Sequence, residues 1–232
     1  MNTVEQKVKE IKQSFRMMMD GATAQSMRNK GLDYKLNWGA TLPRLKEMAE
    51  EIKAYSQKAY PQPLPKGGEN GGYQEGEDGW CHSLAVELWK QDVRECKILA
   101  TMLMPPDEML PDLADLWVEQ LPTSEIAEQL AFNLMQHVPY AADSAFLWLS
   151  SPDDLPQICG YHTLSRLFMR RQEPNERAIN EFIDQALTAL QSSNAMLRKA
   201  AMQSVVHFAG MGLMYQRLAH SAIRTIGMDF VQ

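Results

Sequence analysis

Apolar residues recur at three- and four-residue intervals along almost the whole chain, the spacing that gathers them on one face of a helix. Val4, Val8, Ile11 and Phe15 predict a first helix, and Ala22 to Lys30 a short second one ending at Gly31. Leu42, Leu45, Met48, Ala49 and Ile52 mark a third, with Thr41 as its cap and Pro43 in a first turn that tolerates a missing N–H. From Tyr60 to Gly79 the pattern stops. Pro61, Pro63 and Pro65, then Gly67, Gly68, Gly71, Gly72, Gly76 and Gly79, predict a long exposed loop at about 61–79. Helices then follow in close order, over about 80–90, 92–104, 107–121, 124–138, 141–150, 155–172, 175–192, 194–209 and 212–228. Pro105-Pro106, Pro122, Pro139, Ser151-Pro152, Pro174 and Gly210 punctuate the joints. Alternating strand-like runs are almost absent, so the fold class is all-α.

The helices also pair. Helices of similar apolar register open near Val93, Glu125, Gln157 and Leu197, at offsets of 32, 32 and 40 residues. A recurrence of that size in a helical chain predicts stacked helical hairpins, a HEAT- or armadillo-like α-solenoid, here as one domain over 1–232. A compact helical bundle is the other arrangement that such helices support.

Composition narrows the class. The 232 residues are 45% hydrophobic and 22% charged, which excludes a wholly disordered chain. No apolar run reaches the roughly 18–20 residues of a membrane helix. The first thirty residues lack the apolar core and cleavage site of a secretion signal, so a cytoplasmic protein without membrane partners is expected. Cys81, Cys96 and Cys159 are odd in number and show no CxxC spacing, which points to idle thiols in a reducing compartment. His82, His137, His162, His207 and His220 show no ligand spacing, and no phosphate-loop, dinucleotide or nucleophile-elbow pattern occurs. No metal or cofactor is implied.

Charge is unevenly spread. Residues 1–60 hold 11 basic against 7 acidic side chains, residues 61–160 hold 4 against 17, and residues 161–232 hold 8 against 5. The segment charges of +4, −13 and +3 sum to the overall −6. Two basic ends offer cations to a polyanion, whereas the acidic middle serves solubility or a protein partner.

Several segments together resemble a known family. Ser26-Met27-Arg28-Asn29-Lys30, Leu36-Asn37-Trp38-Gly39-Ala40 and Pro43-Arg44 resemble the N-terminal signature of the AlkD-type DNA alkylation repair proteins. Leu84-Ala85-Val86-Glu87-Leu88-Trp89 with Val93-Arg94-Glu95-Cys96-Lys97-Ile98-Leu99-Ala100 resembles that family's most recognisable stretch, with Arg94 where a His is usual. Trp117-Val118 and Arg198-Lys199-Ala200 fit its later helices. The likeness covers about residues 20–225 and implies a HEAT-like solenoid curved around a concave, DNA-binding surface. For the family's glycosylases it implies release of N3- or N7-alkylated purines, with a catalytic Asp closing a Trp-Asp-x-x-Asp segment and a second Trp on a later helix. A carboxylate there stabilises the charge that develops on the sugar, and indole faces hold the cationic base.

The corresponding segment here reads Ser124-Glu125-Ile126-Ala127-Glu128, and Gln203 and Val206 stand where the family has a Trp and an Arg. A Glu carboxylate lies over an ångström from an Asp one, a misplacement that can cost on the order of 100-fold in rate. Glu128 and Glu125 are the candidate catalytic carboxylates, or else first-turn acids favoured by the helix dipole with Ser124 as cap. Arg28, Lys30, Lys35, Arg44, Arg94, Lys97, Arg166, Arg198 and Lys199 are the candidate phosphate contacts. The expected function is binding of double-stranded DNA, alkylated or not, or another polyanion, with absent or weak glycosylase activity. An active alkylpurine glycosylase using Glu128 and a protein-binding scaffold are the alternatives.

Overall fold

A computed structural model describes residues 3–59 and 79–228. The Pro/Gly-rich stretch at 61–79 lies outside these except for Gly79. Twelve α-helices and two 3-10 turns make up the regular structure among the described residues, with one isolated parallel bridge between Leu36 and Val93. The chain divides into two compact units, Met1–Met109 and Leu110–Gln232.

In the first unit, α1 (Val4–Met17) opens with a reciprocal cap. The Thr3 side chain accepts from the Gln6 N–H, and the Gln6 side chain accepts from the Thr3 N–H. Its stripe of Val8, Ile11 and Phe15 is buried, and the helix packs on α4 (Trp80–Trp89). α2 (Gly21–Asn29) is capped by the Asp20 carboxylate, which takes the Ala22 and Thr23 N–H groups at 3.0 and 3.1 Å. α3 (Leu42–Ala59) and α4 both pack on α5 (Arg94–Leu103). α5 is the core of this unit, with nine of its ten residues buried.

The second unit holds α6 (Pro111–Glu119), α7 (Ser124–Asn133), α8 (Ala141–Leu149), α9 (Asp154–Met169), α10 (Glu176–Leu190), α11 (Ala195–Ala209) and α12 (Leu213–Thr225). α9 is its axis, packed on α7, α8 and α11, while α10 and α12 pack on α11. Gly160 allows α8 and α9 to meet closely, since a Cβ there would lie 2.8 Å from the Ala145 carbonyl oxygen. Phe168, Phe182, Phe208 and Tyr215, one from each of α9 to α12, form an aromatic core with ring centroids 5.0 to 5.4 Å apart.

Three local features differ from the sequence expectation. The helix expected over 107–121 is a 3-10 turn at Pro106–Glu108 followed by α6, which starts at Pro111, a residue preorganised for the first turn. The helix expected over 124–138 ends at Asn133 because Leu134 leaves the helical region at φ −127°. A 3-10 turn over Met135–His137 follows, and the Gln136 side-chain amide donates back to the Phe132 carbonyl. The cap of α7 is Thr123, whose hydroxyl accepts from the Ile126 N–H, rather than Ser124.

Candidate nucleic-acid interface

The loop Leu36-Asn37-Trp38-Gly39-Ala40 owes its shape to one buried carboxylate. Glu95 Oε1 accepts from three successive backbone N–H groups, those of Trp38, Gly39 and Ala40, at 3.1, 2.9 and 3.2 Å. Arg94 Nη1 lies 3.5 Å from the same oxygen and donates to the Ala40 carbonyl at 2.8 Å. Both side chains are 1% exposed or less. Gly39 sits at φ +78°, and a Cβ on it would fall 2.1 Å from the Asp20 carbonyl oxygen. Only glycine meets both conditions. Trp38, whose carbonyl accepts from the Asp20 N–H, packs on Phe15. The clamp thereby ties the capping residue of α2 to the middle of the unit.

Burial corrects the role expected for two cations. Arg94 is fully buried, holding a backbone carbonyl. Lys97 is 8% exposed, donates to the Trp89 carbonyl at 2.8 Å and lies 4.5 Å over the Trp89 ring. Burial holds its ammonium below the usual lysine range. Neither side chain is placed to touch a phosphate, because each already serves a backbone oxygen inside the protein. Arg198 is a third correction. It is half-buried, and its Nη1 donates to the Ser192 and Ser193 carbonyls at 2.7 and 2.9 Å, closing the joint between α10 and α11.

The other candidates lie at the surface. Arg44 pairs with Glu47 at 3.1 Å and Lys35 with Asp92 at 2.8 Å, contacts weak enough in water for a phosphate to displace them. Arg28 and Lys30, at the end of α2, are exposed, as is Lys199 on α11. Arg166 on α9 is half-buried. Arg28, Lys30, Arg166 and Lys199 form no ion pair among the described residues.

In the second unit, Arg166 joins neighbouring helices. Its guanidinium carbon stands 4.5 Å over the ring of Phe132 on α7, and its Nη1 approaches the Met169 sulfur at 3.5 Å. Ser165 Oγ and His207 Nδ1 share a hydrogen bond across α9 and α11. Burial, then the Arg166 charge, holds the His207 imidazole below its ordinary value. Burial, then Lys199, pushes His162 down to about 4. Both rings are therefore neutral at pH 7, and the positive charge of this face rests on Arg166 and Lys199. Glu125 is half-buried in the first turn of α7, and Glu128 is exposed three residues on.

A family model for DNA alkylation repair enzymes matches residues 75–202, more than half of the chain. The chain belongs to that family. The fold agrees. A solved structure from a family of proteins related to the HEAT-like repeat DNA glycosylases, with affinity for branched DNA structures, matches over 97% of this chain and 85% of its own. The TM-score is 0.74 at 16% sequence identity. No curated protein matches this chain. The all-helical, HEAT-like architecture expected from the 32- to 40-residue recurrence is the observed one.

For a DNA alkylation repair family chain, three surface residues were missed by sequence reasoning. Phe132, Met169 and His207 sit beside Arg166, and none stands out by spacing alone. The one available signal was the four-residue step from Glu128 to Phe132, which puts the carboxylate and the ring on the same side of α7. Among the described residues no group of acidic, His or Cys side chains is arranged to hold a metal, and no helix is long and apolar enough to cross a membrane.

Proposed function

We propose that this protein binds DNA through its exposed cations and does not excise alkylated bases. One observation supports this most directly. On the face shared by α7 and α9, the exposed aromatic ring of Phe132 already carries a cation, Arg166. An alkylpurine that bears positive charge is repelled by a guanidinium, whereas a phosphate or an uncharged base is attracted. The segment opening α7 adds to this, because Ser124 stands in place of the Trp, and Glu125 and Glu128 in place of the two Asp residues, that the family resemblance leads one to expect. The candidate phosphate contacts are Arg28, Lys30, Lys35 and Arg44 in the first unit and Arg166 and Lys199 in the second. Affinity for branched DNA, stated for the structural relative, is the natural substrate class to try first.

The experiment is a titration of labelled duplex and four-way-junction DNA at several salt concentrations. Binding should weaken with a log–log slope of about −0.9 per phosphate contact on duplex DNA. Lys199→Glu should reduce the magnitude of that slope by about one contact or more. Arg198 is the wrong residue for this test, since its loss opens the α10–α11 joint. Salt-independent binding, or none, refutes the proposal and leaves a protein-binding scaffold. A second reading is an alkylpurine glycosylase with Glu128 as the carboxylate and Glu125 beside it. Family membership and the exposure of Glu128 favour it, and Glu128→Gln separates it by abolishing base release while retaining DNA affinity.

A further inference from the structure

We propose that Phe132 and Arg166 form a stacking platform for an unpaired, uncharged nucleobase, so that the protein distinguishes DNA with open bases from continuous duplex. The inference rests on the DNA-binding reading above and adds the feature of the DNA that is recognised.

Four observations carry it. Phe132 is 47% exposed although it lies in a helix with an otherwise buried stripe. The Arg166 guanidinium carbon is 4.5 Å above its ring, and Arg166 is held there without an ion pair among the described residues. Arg166 Nε is buried with no hydrogen-bond partner among those residues, so ring and sulfur contacts rather than a carboxylate fix its position. Met169, next to it on α9, is 51% exposed and extends the apolar rim. A large ring and a long thioether left in water beside an uncompensated cation do not improve the packing of the helices. They do match an unstacked base followed by its phosphate, since π-faces stack on aromatic rings and guanidinium planes whatever the base, and the cation meets the backbone.

In continuous duplex the base faces are buried in the stack and the platform has only phosphates to meet. At a junction, flap or gap, a base can leave the stack at little further cost. The charge also sets a preference. A neutral base is accepted, and a cationic N7-methylated base is disfavoured by Arg166, the reverse of what a glycosylase pocket for alkylpurines requires. Glu128, one turn before Phe132 on α7, repels phosphate and leaves the backbone contacts to Arg166 and Lys199.

The test uses the full chain with three oligonucleotides: a duplex, the same duplex with a five-nucleotide flap carrying 2-aminopurine beside the branch, and that flap with 7-methylguanine at the same place. Wild-type protein should change the 2-aminopurine emission on binding and prefer the flap to the duplex. Phe132→Ala should cut the ratio of flap to duplex affinity about tenfold, the scale of one base–aromatic stack, and should abolish the emission change. Phe132→Trp should keep both. The 7-methylguanine flap should bind more weakly than its guanine counterpart. A Phe132→Ala protein with wild-type ratio and emission, or tighter binding of the 7-methylguanine flap, overturns the platform while leaving DNA binding in place. Absence of binding to every oligonucleotide overturns both proposals. Phe132 is half exposed, so its variants should keep the wild-type thermal transition, and an altered transition is resolved by the Phe132→Trp protein.

Discussion

Glu95 shows how a charged residue in a helix sequence becomes part of the framework. Its carboxylate satisfies three N–H groups of a buried loop, each of which would cost about 1–3 kcal/mol if left unpaired, and Arg94 balances its charge. A sequence shows Arg94, Glu95 and Lys97 as an ordinary charged run. Their burial follows from α3 and α4 packing over α5 and from the return of the 36–40 loop, none of which local spacing records. Gly39 was equally silent until the approach of the Asp20 carbonyl made its missing Cβ a requirement. At the same scale, His162 gives a signed prediction. Its imidazole is held near 4, against 6.5 for a free histidine, by burial and then by Lys199. The unfolded chain therefore binds a proton before the folded one does. The stability that goes with a neutral His162 is present above pH 6.5 and is lost as pH falls towards 4. Chemical denaturation of wild type and His162→Gln at several pH values should show a wild-type advantage that shrinks by on the order of 2–3 kcal/mol over that window. A constant difference would remove the group from the acid sensitivity.

The helices were legible as elements because their apolar stripes are long and because proline or glycine marks nearly every joint. Boundaries agree within a few residues from α1 to α12. The exceptions have local causes: a proline-started α6 behind a separate 3-10 turn, and an α7 whose last turn gives way at Leu134. What the pattern could not show is how closely helices approach. Gly160 lies inside α9, where alanine is favoured over glycine by about 1 kcal/mol. A Cβ there, however, meets the Ala145 carbonyl oxygen at 2.8 Å and a Leu149 side-chain carbon at 3.1 Å. A backbone oxygen yields only if α8 moves, and overpacking of that kind costs about 1–3 kcal/mol. The second effect should win. Gly160→Ala should lower the thermal midpoint by several degrees, and an unchanged or raised midpoint would mean that α8 and α9 separate freely.

At the scale of the whole molecule, a net charge of −6 hides cations that are sorted by burial more than by sequence position. Of the nine expected phosphate contacts, Arg94 and Lys97 are interior and Arg198 closes a joint, while the others stand at or near the surface. The family and fold were legible because the motifs that identify them are structural: the Glu95 clamp, the Trp38-Gly39 loop and the helix joints. The candidate interface was legible only in part, because what distinguishes it, a cation resting on an aromatic ring, is a contact between α7 and α9, 34 residues apart at Phe132 and Arg166. That contact gives the central claim, binding without base excision, and one measurement addresses it most directly. Methylated duplex DNA is incubated with excess protein at a concentration that binds it fully, and free 3-methyladenine and 7-methylguanine are followed by chromatography. Release at the rate of the protein-free control is the predicted result. Release well above that rate, lost in Glu128→Gln, would contradict the claim and make Glu128 the carboxylate of a working glycosylase.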